Sequence, residues 1–538
     1  MSFCSYCGKP LKPSSRFCGS CGKPSSQASC QVSESKLPTN ETSSDDASIA
    51  IAKTIFVTSA LFINELDELL RSSGASPFGL VSGLNVQDIK NNINTKISQD
   101  HGKQVRYICV VGNWEEVPIY KVLSPEGVSD DDEYCFTDAL YGCPSDYDES
   151  NIFSAIPSYL VGRIPTTNSS VVKKVLFDNP ARIDASKAFL FAVSAQCWND
   201  ATETIVNHFL GESDNSRIEL DSSKKIIPNK SVISCPDWIE DDLREVTKQK
   251  IETQNSVLLF NVHGGLDEPI WVGESQEYSP KIFDPETIQD FNSSTIVCEA
   301  CYGGALGYQP ISIVESFFVK GGLSFVGSST ISYGSSDENL VAADLIALYF
   351  LKALSNGETS GEALNFAKLE IANNFSLHDF IDKKTILSFN LFGVPWHRRP
   401  KSTSIRRLRD SQVDIDSRLD QIRSRDVSLN TDRSNSLGKI RERYRSSLSE
   451  RNKRFFLNQD TARDELRRFK DYQKISNLII NWTGDPDDFK MQYLSNNIEE
   501  GYALSSQALG HGKAKKTMIL FVDSEGTLKK TLTSKGML

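Results

Sequence analysis

Residues 294–304 read STIVCEACYGG, and residues 256–265 read SVLLFNVHGG. Each is a short, almost unbroken apolar run, the pattern of a strand covered on both faces in a parallel sheet. The first run leads to Cys301 and then Gly303 and Gly304; the second ends on His263, followed by Gly264 and Gly265. In an open α/β sheet, ligands bind beyond the carboxyl ends of the strands, where side chains stop packing and face a crevice. A cysteine at such an end attacks only as thiolate, and a nearby imidazole can generate that form. The glycines let backbone N–H groups approach a reacting carbonyl and stabilise a tetrahedral oxyanion.

Similar runs recur in KTIFVTS, VRYICVVG, SYLVGRI, AFLFAVS and LSFVGSS, alternating with helical patterns around 201–210, 236–253, 311–320 and 338–355. This alternation predicts a three-layer α/β sandwich with a mostly parallel sheet over 49–400. The cysteines Cys298 and Cys301 are three apart, and in a strand such residues point to opposite faces. Cys298 is therefore expected in the core and Cys301 in the crevice.

The flanks read differently. Residues 1–24 contain Cys4-x-x-Cys7 and Cys18-x-x-Cys21, two turns that can deliver four thiolates to a structural zinc ion, as in a zinc ribbon. Such a closed site leaves no open position for catalysis, and no cofactor is expected for the chemistry itself. Residues 25–48, rich in Ser, Thr and Asn, read as a flexible linker. Residues 401–478 carry a net charge of +8 against −11 for the chain, and their interrupted apolar stripe predicts a basic charged helical segment. Its RRLR, RERYR and RNKR runs suggest self-cleavage or a regulatory partner, while interspersed acids and few aromatics argue against nucleic acid. Residues 479–538 read as a small α/β appendage. The sequence has no apolar run of about 18 residues and no leader, so a cytoplasmic protein without membrane contact is expected.

A family resemblance sharpens the central region. Glu299-Ala300-Cys301-Tyr302-Gly303 is similar to the caspase signature Gln-Ala-Cys-x-Gly, with the histidine upstream. YICVVGNWEEVPIY, IPSYLVGRIP, LLFNVHGG, CEACYGG, LSFVGSSTISYG and FNLFGVPW follow one another as in the gingipain family of cysteine peptidases, which has a caspase-like fold. The resemblance implies peptide-bond hydrolysis of a protein or peptide substrate. It gives Cys301 the role of nucleophile, His263 that of general base and acid, and the Gly264 and Cys301 N–H groups that of oxyanion hole. Gln196 stands where the family carries the acid that orients the histidine. Asp200 and Tyr333 stand at the pocket that reads the residue before the scissile bond, where Asp200 would favour Arg or Lys. Glu299, beside the thiol, is a further substrate-binding candidate. The competing reading is a pseudoprotease, a zinc-ribbon adaptor that binds peptides without cutting them.

Overall fold

The computed structural model describes residues 44–100, 104–125, 130, 132–177, 190–210, 230–234, 257–266, 268–274, 281–285, 291, 294–307, 311–336, 338–373, 379–398, 453–495, 500–509 and 515–535. Cys4, Cys7, Cys18 and Cys21 of the expected zinc ribbon lie outside these residues, as do most of the linker and positions 401–452 of the basic segment. The linker expected up to 48 is already helical at Ser44–Ala52, where Ile51 is buried.

A ten-stranded sheet forms the centre, in the order Gly79–Val81, Thr54–Thr58, Tyr107–Val111, Leu160–Ile164, Phe389–Gly393, Ser324–Ser328, Thr295–Cys298, Val257–Asn261, Leu190–Ser194 and Lys230–Ser234. Neighbours are parallel except Ser324–Ser328 against Phe389–Gly393, so two parallel halves meet at one antiparallel seam. Strand alternation sorts the side chains into two cores. Leu258, Phe260, Ile296 and Phe325 pack on one face with Leu66, Leu70, Val172 and Phe317. Leu259, Val297 and Val326 pack on the other with Ile205, Phe350, Leu354 and Ala367. These are the three layers of an α/β sandwich. The cysteine strand pairs with the histidine strand in a register that sets Cys298 opposite Phe260. Cys301 and His263 therefore emerge at the same level of the sheet.

A second sheet has six antiparallel strands in the order Tyr333–Gly334, Leu528–Ser534, Lys515–Asp523, Glu500–Leu509, Lys490–Ser495 and Lys453–Phe456. On one face Leu504, Met518, Leu520 and Val522 meet Leu466, Ile475 and Ile479 from the helices Gln459–Arg468 and Tyr472–Thr483. On the other, Ala503, Ile519, Phe521 and Leu532 pack against Tyr333, Val341, Phe380 and Ile381 of the sandwich. The boundary expected at 478 falls inside Tyr472–Thr483, and the strand Lys453–Phe456 belongs to this sheet, so the C-terminal unit spans at least 453–535. Its charged helix Gln459–Arg468 is amphipathic and buries Ala462 and Leu466 in that unit. Among the described residues no helix is long and apolar enough to cross a membrane.

Candidate active site

The thiol of Cys301 is buried, and its sulfur accepts a hydrogen bond of 3.1 Å from the Ser332 N–H. Burial pushes the thiol well above its ordinary value, with the Ser332 N–H opposing that rise. Cys298 lies in the core, also with its thiol raised by burial. The turn that opens at Cys301 is tight. Tyr302 has a φ of 54°, rare for a residue with a side chain, and its hydroxyl donates to Asp132 Oδ1 at 2.7 Å. A Cβ at Gly303 would collide with the Cys298 sulfur. Asp132 and Asp130 share the buried ammonium of Lys384, and Asp130 accepts from the Tyr333 hydroxyl at 2.8 Å. One ionic cluster thus fixes the tyrosines on both sides of the cysteine.

His263 is fully buried, its ring 4.5 Å from that of Trp198, and its Nε2 is 2.9 Å from Glu274 Oε2. Gln196 does not fill the orienting position. It contributes its backbone N–H to the Glu274 carbonyl at 3.2 Å and thereby holds the residue whose carboxylate lies at the imidazole. The reason is local: His263–Gly264 pairs antiparallel with Trp271–Val272, and this return brings Glu274 back to the imidazole. The Cys197 thiol also donates to Glu274 Oε2 at 2.9 Å. Cys197, His263 and Glu274 hold donor atoms within 4.8 Å of one another, a set that would suit a thiophilic divalent cation.

Gly264 and Cys301 lie so close that a Cβ at Gly264 would strike the Cys301 carbonyl oxygen. Their N–H groups converge on a single acceptor, the carbonyl oxygen of Lys535, at 3.2 and 3.3 Å. Lys535 follows the strand Leu528–Ser534, which pairs with Tyr333–Gly334 in the register Tyr333↔Ser534 and Gly334↔Thr533. The Lys535 N–H continues this pairing to the Ser332 carbonyl at 2.8 Å.

The Lys535 ammonium is buried between Asn261 Oδ1 at 2.6 Å, Asp344 Oδ1 at 2.9 Å and Glu299 Oε2, with the Trp198 ring centre 5.2 Å away. Burial pulls the ammonium down, but Asp344 and Glu299 hold it above its ordinary value. Burial pushes Glu299 up, to about 8, against the pull of Lys535 and with Asp344 adding to the rise. A side chain at Gly334 would overlap the ammonium. Asp200 is not in this pocket. It is exposed in the first turn of Asn199–Leu210, where an acid complements the helix dipole. Sequence reasoning missed Glu274, Asn261, Asp344 and Lys535. Asp344 alone left a visible signal, a carboxylate opening the apolar helix Ala343–Ser355. Beyond the thiol, Gly265, Trp271, Tyr302, Gly303, Ala305 and Ile313 line a small cleft.

Thiol and imidazole offered from neighbouring strand ends, beside paired N–H donors on one carbonyl, suit the work of cysteine peptidases. Residues 81–398, more than half of the chain, match peptidase family C25; the chain belongs to that family and is a cysteine peptidase. Among solved structures it is similar to the Arg-specific cysteine proteinase gingipain R, with 11% identity, a TM-score of 0.46, and coverage of 65% of this chain and 79% of that one. It is also similar to the complex of the pro- and mature domains of RgpB from Porphyromonas gingivalis, with 10% identity, a TM-score of 0.44, and coverage of 64% and 79%. No curated protein matches the sequence.

Proposed function

We propose that the chain is an endopeptidase that cleaves after lysine, with Cys301 as nucleophile, His263 as general base and acid, and a thioester acyl-enzyme as intermediate. The observation that carries this reading is the Lys535 carbonyl oxygen, 3.2 Å from Gly264 N and 3.3 Å from Cys301 N, where developing oxyanion charge would be stabilised. In the first step His263 takes the Cys301 proton while the sulfur adds to the carbonyl carbon. The C–N bond then breaks and the imidazolium protonates the leaving amine. Water, deprotonated by the same imidazole, cleaves the thioester and restores the thiol. Burial keeps the resting thiol protonated, so the nucleophile is made as it reacts. Glu274 supplies the negative charge that steadies the imidazolium in this cycle.

The preference for lysine follows from the pocket. Asn261 Oδ1, Glu299 Oε2 and Asp344 Oδ1 converge on one point, matching the three donors of an ammonium better than the broad planar fork of a guanidinium. The test is to incubate the purified protein with an unfolded protein mixture and identify the new N-termini by mass spectrometry. Cuts should follow lysine, with fewer after arginine and none made by Cys301→Ala. New termini that follow apolar residues, or that persist in Cys301→Ala, would overturn the reading.

A further inference from the structure

We propose that the segment ending the C-terminal sheet is the enzyme's own substrate: the Lys535–Gly536 bond is cut in cis by Cys301, and the strand Leu528–Ser534 then retains the product in the site. This rests on the peptidase reading above and adds a cleavage site and a mode of control to it. Every element of substrate recognition is present in the contacts of one residue. The backbone before the bond adds to Tyr333–Gly334 as an antiparallel strand, the way extended peptides are commonly read at a sheet edge. The Lys535 side chain fills the carboxylate pocket, and its carbonyl oxygen lies between the Gly264 and Cys301 donors.

These contacts are not incidental packing. A lysine is almost never fully buried unless it is paired, and Lys535 is buried against two carboxyl groups and an amide oxygen. The strand is also held by the core formed by Ile519, Phe521 and Leu532 against Phe380 and Ile381. Cleavage therefore removes nothing that anchors it. The reaction balances as ordinary hydrolysis: the Lys535 C–N bond breaks, Gly536 leaves as an amine with a proton from His263, and water turns the thioester into the Lys535 carboxylate. That product retains the side-chain contacts in the pocket, so processing leaves the site occupied and the enzyme restrained.

Intact-mass spectrometry of the full chain tests the proposal. Wild type should lack the residues after Lys535, which are Gly536-Met537-Leu538 in this sequence, while Cys301→Ala and Gly536→Pro should retain them. Cys301→Ala mixed with wild type should stay uncut, since the bond is presented only within its own chain. Hydrolysis of an added lysyl peptide is measured in parallel. Lys535→Ala should raise it by at least about thirtyfold, the least that losing one partner of a buried charge pair implies. A wild-type chain that keeps its full mass while Lys535→Ala hydrolyses the peptide overturns cleavage in cis and leaves the peptidase reading standing; full mass in wild type with no hydrolysis by Lys535→Ala overturns both. Peptide hydrolysis unchanged in Lys535→Ala overturns the restraint.

Discussion

Glu274 reaches His263 because the chain reverses after Gly264 and returns through Trp271–Val272, so a carboxylate eleven positions later lies at the imidazole. On the proposed mechanism the contact keeps a negative charge beside a ring that becomes cationic. Glu274→Gln keeps a polar partner of the same size but loses that charge. Steady-state assays should show kcat falling by about 10²-fold or more with KM little changed. An unaltered kcat would mean the imidazolium needs no carboxylate. Glu299 is a different case, because it holds its proton more tightly in the folded protein than in the unfolded chain. A raised carboxyl stabilises the fold fully below its ordinary value of 4.5, and the contribution is lost as pH rises through about 8. Denaturation of wild type and Glu299→Gln across that window should give a stability difference that shifts steadily in favour of the variant. A flat difference would show that Glu299 does not titrate there.

At the scale of elements, the two strands around the chemistry were plain in the sequence, and the contacts that complete the site were not. SVLLFNV and STIVCEA are buried on both faces, which leaves unbroken apolar runs, and the glycines after His263 and Cys301 mark the change from packing to turning. Glu274 gave no such signal, since it follows a two-residue strand set by a hairpin. Gly79–Val81 and Lys230–Ser234 are too short or too polar to stand out. Lys535 meets Asn261 across more than half the chain, a pairing that no local pattern records. Arg163 behaves likewise. Within Leu160–Ile164 it reads as a stray charge, yet it grips both Asp138 oxygens at 2.7 Å and the carbonyls of Gly112, Asn113 and Val117. Arg163→Met leaves Asp138 buried without its partner and should cost about 3–5 kcal/mol in chemical denaturation. A loss below about 1 kcal/mol would make the clamp dispensable.

For the whole molecule, the second sheet joins the sandwich through a compact apolar seam in which the Phe521 ring lies 5.2 Å from that of Phe380. Phe521→Ala should destabilise this seam by about 3–5 kcal/mol and loosen the strand that carries Lys535. Thermal unfolding should separate an early transition of the C-terminal unit from that of the sandwich, and hydrolysis of added peptide should rise. A single transition with unchanged hydrolysis would mean the seam does not hold the strand in place. The seam also sets a threshold for any other substrate. A segment carried by the same chain acts on its binding site at an effective concentration of roughly millimolar, however dilute the protein. A peptide weaker than that threshold waits for the sheet to lift, and its turnover then reports how often Lys535 leaves the pocket rather than how fast Cys301 reacts.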